Sequence, residues 1–138
     1  MHIDPVLSPD DLVLVKNAAA ACLNAYAKYS GFAVGSAVRT STGHIYLGAN
    51  VENVSYPVGT CAERNAIAAA VAAEGPNVRI TSITVVARSK GADAACSPCG
   101  ACRQAILEFG LDATVIYRGS DLLMRQTNAR ALLPMPFE

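Results

Sequence analysis

Two cysteine-bearing segments, far apart in the chain, limit how this protein can fold. The first is Cys61-Ala62-Glu63, and the second, "CSPCGAC", supplies Cys96, Cys99 and Cys102. The C-x2-C spacing of Cys99 and Cys102 lets two thiolates reach one tetrahedral metal ion. Both segments look like helix starts, where backbone N–H groups and the helix dipole favour thiolates. We therefore expect two helix N-termini to meet at one ion.

Composition favours metal binding over a disulfide framework. The five cysteines are an odd number, and the start "MHIDPVLSPDD" is acidic and contains proline, unlike a signal peptide. We therefore expect a cytoplasmic protein, in a compartment where disulfides are rare. The remaining cysteine, Cys22, is expected in the core.

Charge and hydropathy exclude other classes of protein. Eleven basic and eleven acidic residues give a formal net charge of zero, whereas nucleic-acid binders usually carry a basic stripe. No stretch approaches the ~18 consecutive apolar residues of a membrane span. The 138 residues, 52% of them hydrophobic, predict a single domain, residues 1–138, with a real core.

The pattern of apolar residues and turn signals predicts an α/β domain with a mixed sheet of about five strands. Ser8 is a plausible N-cap for the first helix, and Gly75-Pro76 ends the second. The expected helices cover residues 8–27, 61–74, 100–109 and 128–133, and the expected strands cover residues 32–38, 44–51, 79–88 and 113–118.

Spacing alone leaves the kind of metal site open. Three cysteine ligands would leave a fourth position on zinc for a water molecule, which can then ionise near neutral pH, with Glu63 close enough to carry its proton. If Cys96 is a fourth ligand instead, the zinc is structural and Glu63 is only a helix-start residue. An iron–sulfur cluster is a weaker alternative, because Pro98 precedes Cys99 rather than following the run of cysteines.

The motifs that carry the chemistry resemble a known family. Cys61-Ala62-Glu63 with Pro98-Cys99-Gly100-Ala101-Cys102 fits the three-cysteine version of the zinc deaminase signature. The stretches "YSGFAVGSAV", "NVENVSY", "TCAERNAI" and "SPCGACRQ" resemble the small homotetrameric cytidine deaminases, in order and spacing, from about Ala25 to Leu133. The resemblance implies a three-layer α-β-α fold and Zn²⁺ held by Cys61, Cys99 and Cys102.

The same resemblance implies an activity and a set of roles. A metal-activated water attacks C4 of cytidine or 2′-deoxycytidine, Glu63 shuttles protons, and ammonia leaves. Arg64 donates hydrogen bonds to the thiolates, unless it is only a solvated helix residue. The implied substrate contacts are Phe32 against the base, Asn50 and Glu52 on the ribose, backbone groups of Ala62 and Ser97 on the base, Tyr56 toward the 5′ end, and Phe137 closing a neighbouring subunit's site.

Some of these positions have simpler interpretations. Phe32 is equally compatible with an ordinary strand core, and Asn50 and Glu52 with a polar loop. Their spacing of two does, however, place Asn50 and Glu52 on the same side of a strand end. Lys28 stands where the family usually has proline before Tyr-Ser, and the sequence stops at Phe137-Glu138, where relatives commonly continue.

Two other functions stay open at this stage. A related deaminase acts on blasticidin S, but its sugar-side motif lacks glutamate at the position of Glu52. A non-catalytic zinc-stabilised domain is the alternative of another class, although Glu63 serves no structural purpose that requires a carboxylate. A nucleic-acid editing deaminase would need a basic or aromatic surface, and only 6% of the residues are aromatic.

Overall fold

The computed structural model describes residues 7–138. The acidic start of the chain lies partly outside these residues. The helices are α1 (Pro9–Cys22), α2 (Ala62–Glu74), α3 (Gly100–Phe109) and α4 (Ala129–Leu132), with a short 3₁₀ helix at Tyr56–Val58. The strands are β1 (Phe32–Thr40), β2 (Ile45–Ala49), β3 (Ile80–Ser89), β4 (Ala92–Ala94), β5 (Thr114–Arg118) and β6 (Met124–Asn128).

The strands form one mixed sheet in the order β2-β1-β3-β5-β6. Strands β3 and β5 run parallel, and the other neighbouring pairs are antiparallel. The short β4 pairs with the last three residues of β3. The predicted mixed sheet is confirmed, with six strands instead of about five.

Helices cover both faces of this sheet. Helix α1 packs on one face through Leu14, Ala18 and Cys22, which contact inward-facing residues of β1, β3 and β5. Helices α2, α3 and α4 share the opposite face and bury Ile67 and Ile106 in the larger core cluster. The expected three-layer α-β-α architecture is therefore confirmed.

The first helix begins as the sequence predicts but ends earlier. Ser8 caps it, since its hydroxyl accepts a hydrogen bond from the Asp11 amide at 3.1 Å and the Asp11 carboxylate accepts one from the Ser8 amide. The helix ends at Cys22 rather than at Ala27. Tyr26 instead bridges to Val51, and this pairing requires extended backbone.

Strands β4 and β6 lie outside the predicted elements. Strand β4 has three residues and follows a Lys90-Gly91 turn in which both residues have positive φ. Strand β6 is the polar edge strand "MRQTN", of which only Met124 is buried. Sequence patterns miss such elements because neither has the apolar alternation of a half-buried strand.

A glycine lets the second helix lie against the sheet where the cysteines are. A Cβ added at Gly48 on β2 would come within 2.3 Å of the Ala62 carbonyl oxygen and 2.3 Å of the Ala66 nitrogen. Only glycine permits this approach of α2 to β2, and it fixes the first turn of α2, which carries Glu63. Among residues 7–138, no helix combines the length and the apolar character that crossing a membrane requires.

Candidate active site

Three cysteines from two helix starts converge at one point. Cys61 is the N-cap residue of α2, Cys99 is the N-cap residue of α3, and Cys102 lies in the first turn of α3. Their Sγ atoms all lie within 4.8 Å of one another. Neither N-cap thiol makes a capping hydrogen bond. The expected meeting of two helix N-termini is therefore present.

The three thiols fit a zinc ion. Tetrahedral zinc with Zn–S bonds of 2.3 Å places its sulfur ligands ~3.8 Å apart, which lies within the observed limit. Three thiolates this close repel one another, so a cation is needed to keep all three deprotonated. Burial is the main cause that raises the pKa of the Cys102 thiol, so a bound cation is needed all the more to keep this thiol deprotonated. Cys61, Cys99 and Cys102 are thus positioned to bind Zn²⁺, with a fourth coordination position left over.

Arg64 contacts the sulfur of Cys61. Its Nη2 donates a hydrogen bond to Cys61 Sγ at 3.4 Å, and this bond raises the pKa of the Arg64 guanidinium. A guanidinium at this position withdraws charge from the thiolate and partly offsets the excess negative charge of a three-thiolate site.

Cys96 lies outside the group of three. It stands before the turn that leads into α3, where its amide bonds to the Arg118 carbonyl oxygen. Burial is the main cause that raises the pKa of Cys96 to about 12. Among residues 7–138, the sulfurs that lie within 4.8 Å of one another are those of Cys61, Cys99 and Cys102, and Cys96 is not in this group. Its position therefore favours the three-cysteine site over the closed four-cysteine site.

Glu63 is a carboxylate buried beside the thiols. Its residue is only 4% exposed, in the first turn of α2. Burial raises the pKa of Glu63 and outweighs hydrogen bonds from its own amide and from the Cys102 thiol, which lower it. A carboxylate whose pKa is shifted toward neutrality is suited to accept and return a proton.

A cavity of about 250 Å³ joins the thiols to the predicted sugar-binding residues. Asn50 lies on its wall, with its amide held by the β1 backbone: Oδ1 accepts from the Val34 amide and Nδ2 donates to the Phe32 carbonyl, both at 2.9 Å. Seven of the predicted site residues line this cavity: Asn50, Glu52, Cys61, Ala62, Glu63, Ser97 and Cys99.

A second cavity of about 370 Å³ adjoins the first one and shares Glu52 and Gly59 with it. Tyr56 lines this second cavity while remaining 80% exposed. Tyr29 also lines it, and Lys28 Nζ lies 5.7 Å from the centre of the Tyr29 ring. The two cavities together extend from the thiols past Glu52 to the 3₁₀ helix.

Two predicted substrate contacts lie outside both cavities. Phe32 is partly buried and packs against the core cluster of Val34, Ala62, Val85 and Ala87, of which Val34 and Ala62 also line the first cavity. Phe137 lies in the C-terminal tail, with its residue 87% exposed. Its backbone is held by Gln104 of α3, which accepts from the Phe137 amide at 3.0 Å and donates to the Phe137 carbonyl at 3.2 Å.

Two residues that shape the site were not predicted from the sequence. Arg103 holds the turn before α3, donating to the Pro98 carbonyl at 2.7 Å and to the Leu132 carbonyl at 3.1 Å. Ser30 hydrogen-bonds to the Glu52 carboxylate. Neither residue belongs to a spacing pattern typical of metal or catalytic sites. Ser30 contacts a carboxylate 22 positions later in the chain, and Arg103 contacts backbone carbonyls.

Comparisons with known proteins agree with this geometry. Residues 8–118 match the family model described as the cytidine and deoxycytidylate deaminase zinc-binding region. A cytidine deaminase of Halalkalibacterium halodurans is 40% identical over 111 residues, which are 80% of this chain and 80% of that protein. A cytidine deaminase of Mycobacterium tuberculosis is 39% identical over 108 residues, covering 78% of this chain and 71% of the relative.

Solved structures show the same likeness in three dimensions. The crystal structure of cytidine deaminase from Burkholderia pseudomallei superposes with a TM-score of 0.81 at 38% identity, covering 95% of this chain and all of the other. The crystal structure of cytidine deaminase from Mycobacterium tuberculosis gives a TM-score of 0.79 at 34% identity, covering 95% of this chain and 99% of the other. The matched region contains the three converging thiols and the buried Glu63. The chain therefore belongs to the cytidine and deoxycytidylate deaminase family.

Proposed function

We propose that this protein hydrolyses the exocyclic amine of cytidine and 2′-deoxycytidine, giving uridine or 2′-deoxyuridine and ammonia, a reaction of pyrimidine salvage. One observation carries the proposal: the buried Glu63 carboxylate lies beside three converging thiols, on the wall of a cavity that continues to Asn50 and Glu52. A zinc ion held by the three thiols could be purely structural, but a buried carboxylate beside the thiols is suited to carry a proton.

The three thiols and Glu63 have different parts in the proposed reaction. Zinc, when bound by the three thiols, lowers the pKa of a water molecule so that it can act as a nucleophile near neutral pH. Glu63 accepts the proton of the attacking water and delivers it to N3 of the pyrimidine. Glu63 then accepts the remaining proton of that oxygen, now bonded to C4, and delivers it to the amine as the bond between C4 and nitrogen breaks. Oxygen from water replaces nitrogen at C4, and ammonia leaves.

Other groups hold the substrate. We expect backbone groups of Ser97 and Ala62, both of which line the first cavity, to bind the base, and Phe32 to lie against it from the core cluster that contains Ala62. Asn50 and Glu52 bind the sugar. Their binding energy supports the transition state only if a sugar is attached, so we expect free cytosine to be a poor substrate.

Charge favours an unphosphorylated substrate over deoxycytidylate. The carboxylate of Glu52 lines both cavities, and hydrogen bonds from the Ser30 hydroxyl and amide lower the pKa of Glu52 and keep it charged. A phosphate group placed in the second cavity would meet this negative charge.

We propose a homotetramer in which sites lie near subunit interfaces. The segment around the 3₁₀ helix supports this, since Val54, Tyr56 and Val58 are 77%, 80% and 60% exposed beside the second cavity. Adjacent exposed apolar residues of this kind mark contact surfaces. The cytoplasm is the proposed compartment, because all five cysteines are free thiols, as a reducing compartment keeps them.

The test is a substrate panel assayed by ammonia release and by the ultraviolet change from cytosine to uracil. We expect turnover of cytidine and 2′-deoxycytidine, with much weaker turnover of cytosine and deoxycytidylate. Zinc-loaded, folded protein that deaminates neither nucleoside would contradict the proposed function. Comparable turnover of cytosine would show that Asn50 and Glu52 do not bind the sugar, and preferential turnover of blasticidin S would assign the enzyme to that antibiotic.

A further inference from the structure

The hydroxyl of Ser30 connects two predicted substrate contacts. Ser30 Oγ accepts a hydrogen bond from the Phe32 amide at 2.9 Å and donates one to Glu52 Oε2. It therefore lies between the first residue of β1 and a carboxylate 22 positions later in the chain. This arrangement leaves the hydroxyl proton with a single acceptor.

The Glu52 carboxylate is almost fully occupied by the same loop. Its Oε1 accepts from the Tyr29 amide at 3.0 Å and from the Ser30 amide at 3.1 Å, and its Oε2 accepts from the Ser30 hydroxyl. An ionised carboxylate offers about four acceptor positions. Three are used within the chain, so one remains, on Oε2, for a donor in the adjoining cavities.

We propose that Ser30 is a positioning residue for sugar recognition: it orients the Glu52 carboxylate so that its remaining acceptor position takes one hydroxyl of the nucleoside sugar. This inference rests on the proposed function. The hydroxyl is one that cytidine and 2′-deoxycytidine share, because both are expected substrates. That leaves the 3′-hydroxyl and the 5′-hydroxyl.

The contribution of Ser30 can be judged from the effect on Glu52 of removing the Ser30 hydroxyl. Without the hydroxyl, Glu52 Oε2 loses its fixed donor, and the carboxylate can rotate about the backbone-bound Oε1. Hydrogen bonds to charged groups are worth ~10- to 100-fold in an equilibrium constant. Because Glu52 contacts the sugar and not the reacting atoms, the loss falls on substrate binding before and during the reaction alike.

The experiment compares Ser30→Ala with wild type on three substrates: 2′-deoxycytidine, 2′,3′-dideoxycytidine and 2′,5′-dideoxycytidine. We expect Ser30→Ala to raise KM for 2′-deoxycytidine about 10-fold with little change in kcat. On the analogue that lacks the hydroxyl bound by Glu52, we expect wild type and variant to have the same kcat/KM. Ser30→Thr, which keeps the hydroxyl, should restore most of the affinity.

Three controls keep the test decisive. Ser41→Ala removes an exposed serine just past the opposite end of β1, ~27 Å along the strand, and should behave as wild type. Ser30→Gly also lacks the hydroxyl, so the result does not depend on the alanine variant folding well. The double variant Ser30→Ala with Glu52→Gln should be no worse than Glu52→Gln alone if Ser30 acts through Glu52.

The inference is overturned if Ser30→Ala and Ser30→Gly equal wild type on 2′-deoxycytidine, or if they are equally impaired on all three substrates. The second result would mean that Ser30 supports the fold of the loop and not recognition of the sugar. Both results require an active wild-type enzyme. Lack of activity in the wild type itself would instead refute the proposed function.

Discussion

Four thiols lie near one another in this fold, but their local positions divide them into three and one. Cys61, Cys99 and Cys102 belong to helix starts, and their sulfurs converge within 4.8 Å. Cys96 lies outside this group, in the segment before α3, where its amide donates a hydrogen bond to the Arg118 carbonyl oxygen. These positions therefore predict that replacing Cys96 has a different effect from replacing any one of the other three cysteines.

We expect Cys99→Ala to release zinc and lower the thermal midpoint of unfolding, because metal binding and formation of the site are coupled. Cys96→Ala should keep a full zinc complement and nearly full deaminase activity, since the fourth position belongs to water. Metal analysis of both variants, beside activity assays, checks this. Equal zinc loss in the two variants would support a closed four-cysteine site.

The second prediction at this scale concerns the proton carrier. Glu63→Gln keeps the shape and the helix start but cannot move a proton, so we expect normal zinc content and activity lowered by more than ~100-fold. Stopped assays with zinc analysis measure both quantities. A variant that keeps a tenth of the wild-type activity would remove Glu63 from the mechanism.

These residues could be predicted from sequence because their chemistry requires particular side chains at particular spacings. Cys61, Glu63, Cys99 and Cys102 form such a pattern. Ser30 does not, because its partner lies 22 residues away and any donor at that point of the fold would serve. Spacing rules therefore find the ligands of a metal, whereas residues that orient other residues become visible only in three dimensions.

Among the elements, α2 is fixed at both of its ends. Its start is set against Gly48, and its last residue, Glu74, accepts hydrogen bonds on Oε2 from Thr40 at 2.8 Å, Thr42 at 2.9 Å and Tyr46 at 2.8 Å. These donors come from β1, from β2 and from the turn between them. The C-terminal end of α2, which is remote from the three thiols, is therefore hydrogen-bonded to the β1–β2 hairpin.

This contact predicts a pH-dependent stability. Burial tends to raise the pKa of Glu74, but the hydroxyl hydrogen bonds outweigh it and the pKa is lowered. A carboxyl whose pKa is lower in the folded state stabilises the fold above its unfolded pKa, and this stabilisation is lost as the pH falls through the folded pKa. We expect Glu74→Gln to unfold at lower temperature than wild type at pH 7, with the difference shrinking as the pH falls below 4.5, the ordinary value for glutamate.

Thermal unfolding across this pH range measures the effect. Glu108→Gln, an exposed glutamate on α3, is the matched control and should track wild type throughout. A Glu74→Gln deficit that stays constant with pH would mean that shape and not charge matters at this position.

The elements also show where sequence patterns stop being informative. The α3 prediction, residues 100–109, coincides with the observed helix, because Pro98 directly precedes its N-cap, Cys99, and Gly110 is its C-cap. The apolar strands were also located within a few residues. Strands β4 and β6 were missed, since a three-residue strand and a polar edge strand are defined by the neighbour they pair with rather than by their own composition.

At the scale of the whole molecule, the C-terminal tail links a single subunit to its proposed assembly. Gln104 holds the Phe137 backbone against α3 through both amide groups, while the Phe137 ring faces outward, with the residue 87% exposed. A backbone fixed in place below a freely exposed aromatic ring suits insertion of that ring into another subunit. This supports the proposal that Phe137 closes a neighbouring site.

Mixed assemblies test that proposal directly. Phe137→Ala should lower kcat/KM while leaving zinc content unchanged, and Gln104→Ala should have a smaller effect in the same direction because it only frees the tail. Glu63→Gln is inactive but retains Phe137. Co-expressed Phe137→Ala and Glu63→Gln subunits should therefore form mixed tetramers in which Phe137 from one subunit completes the intact Glu63 site of its neighbour. We expect activity per intact site well above that of Phe137→Ala alone. If Phe137 serves only its own subunit, mixing brings no gain, because no subunit then carries both residues.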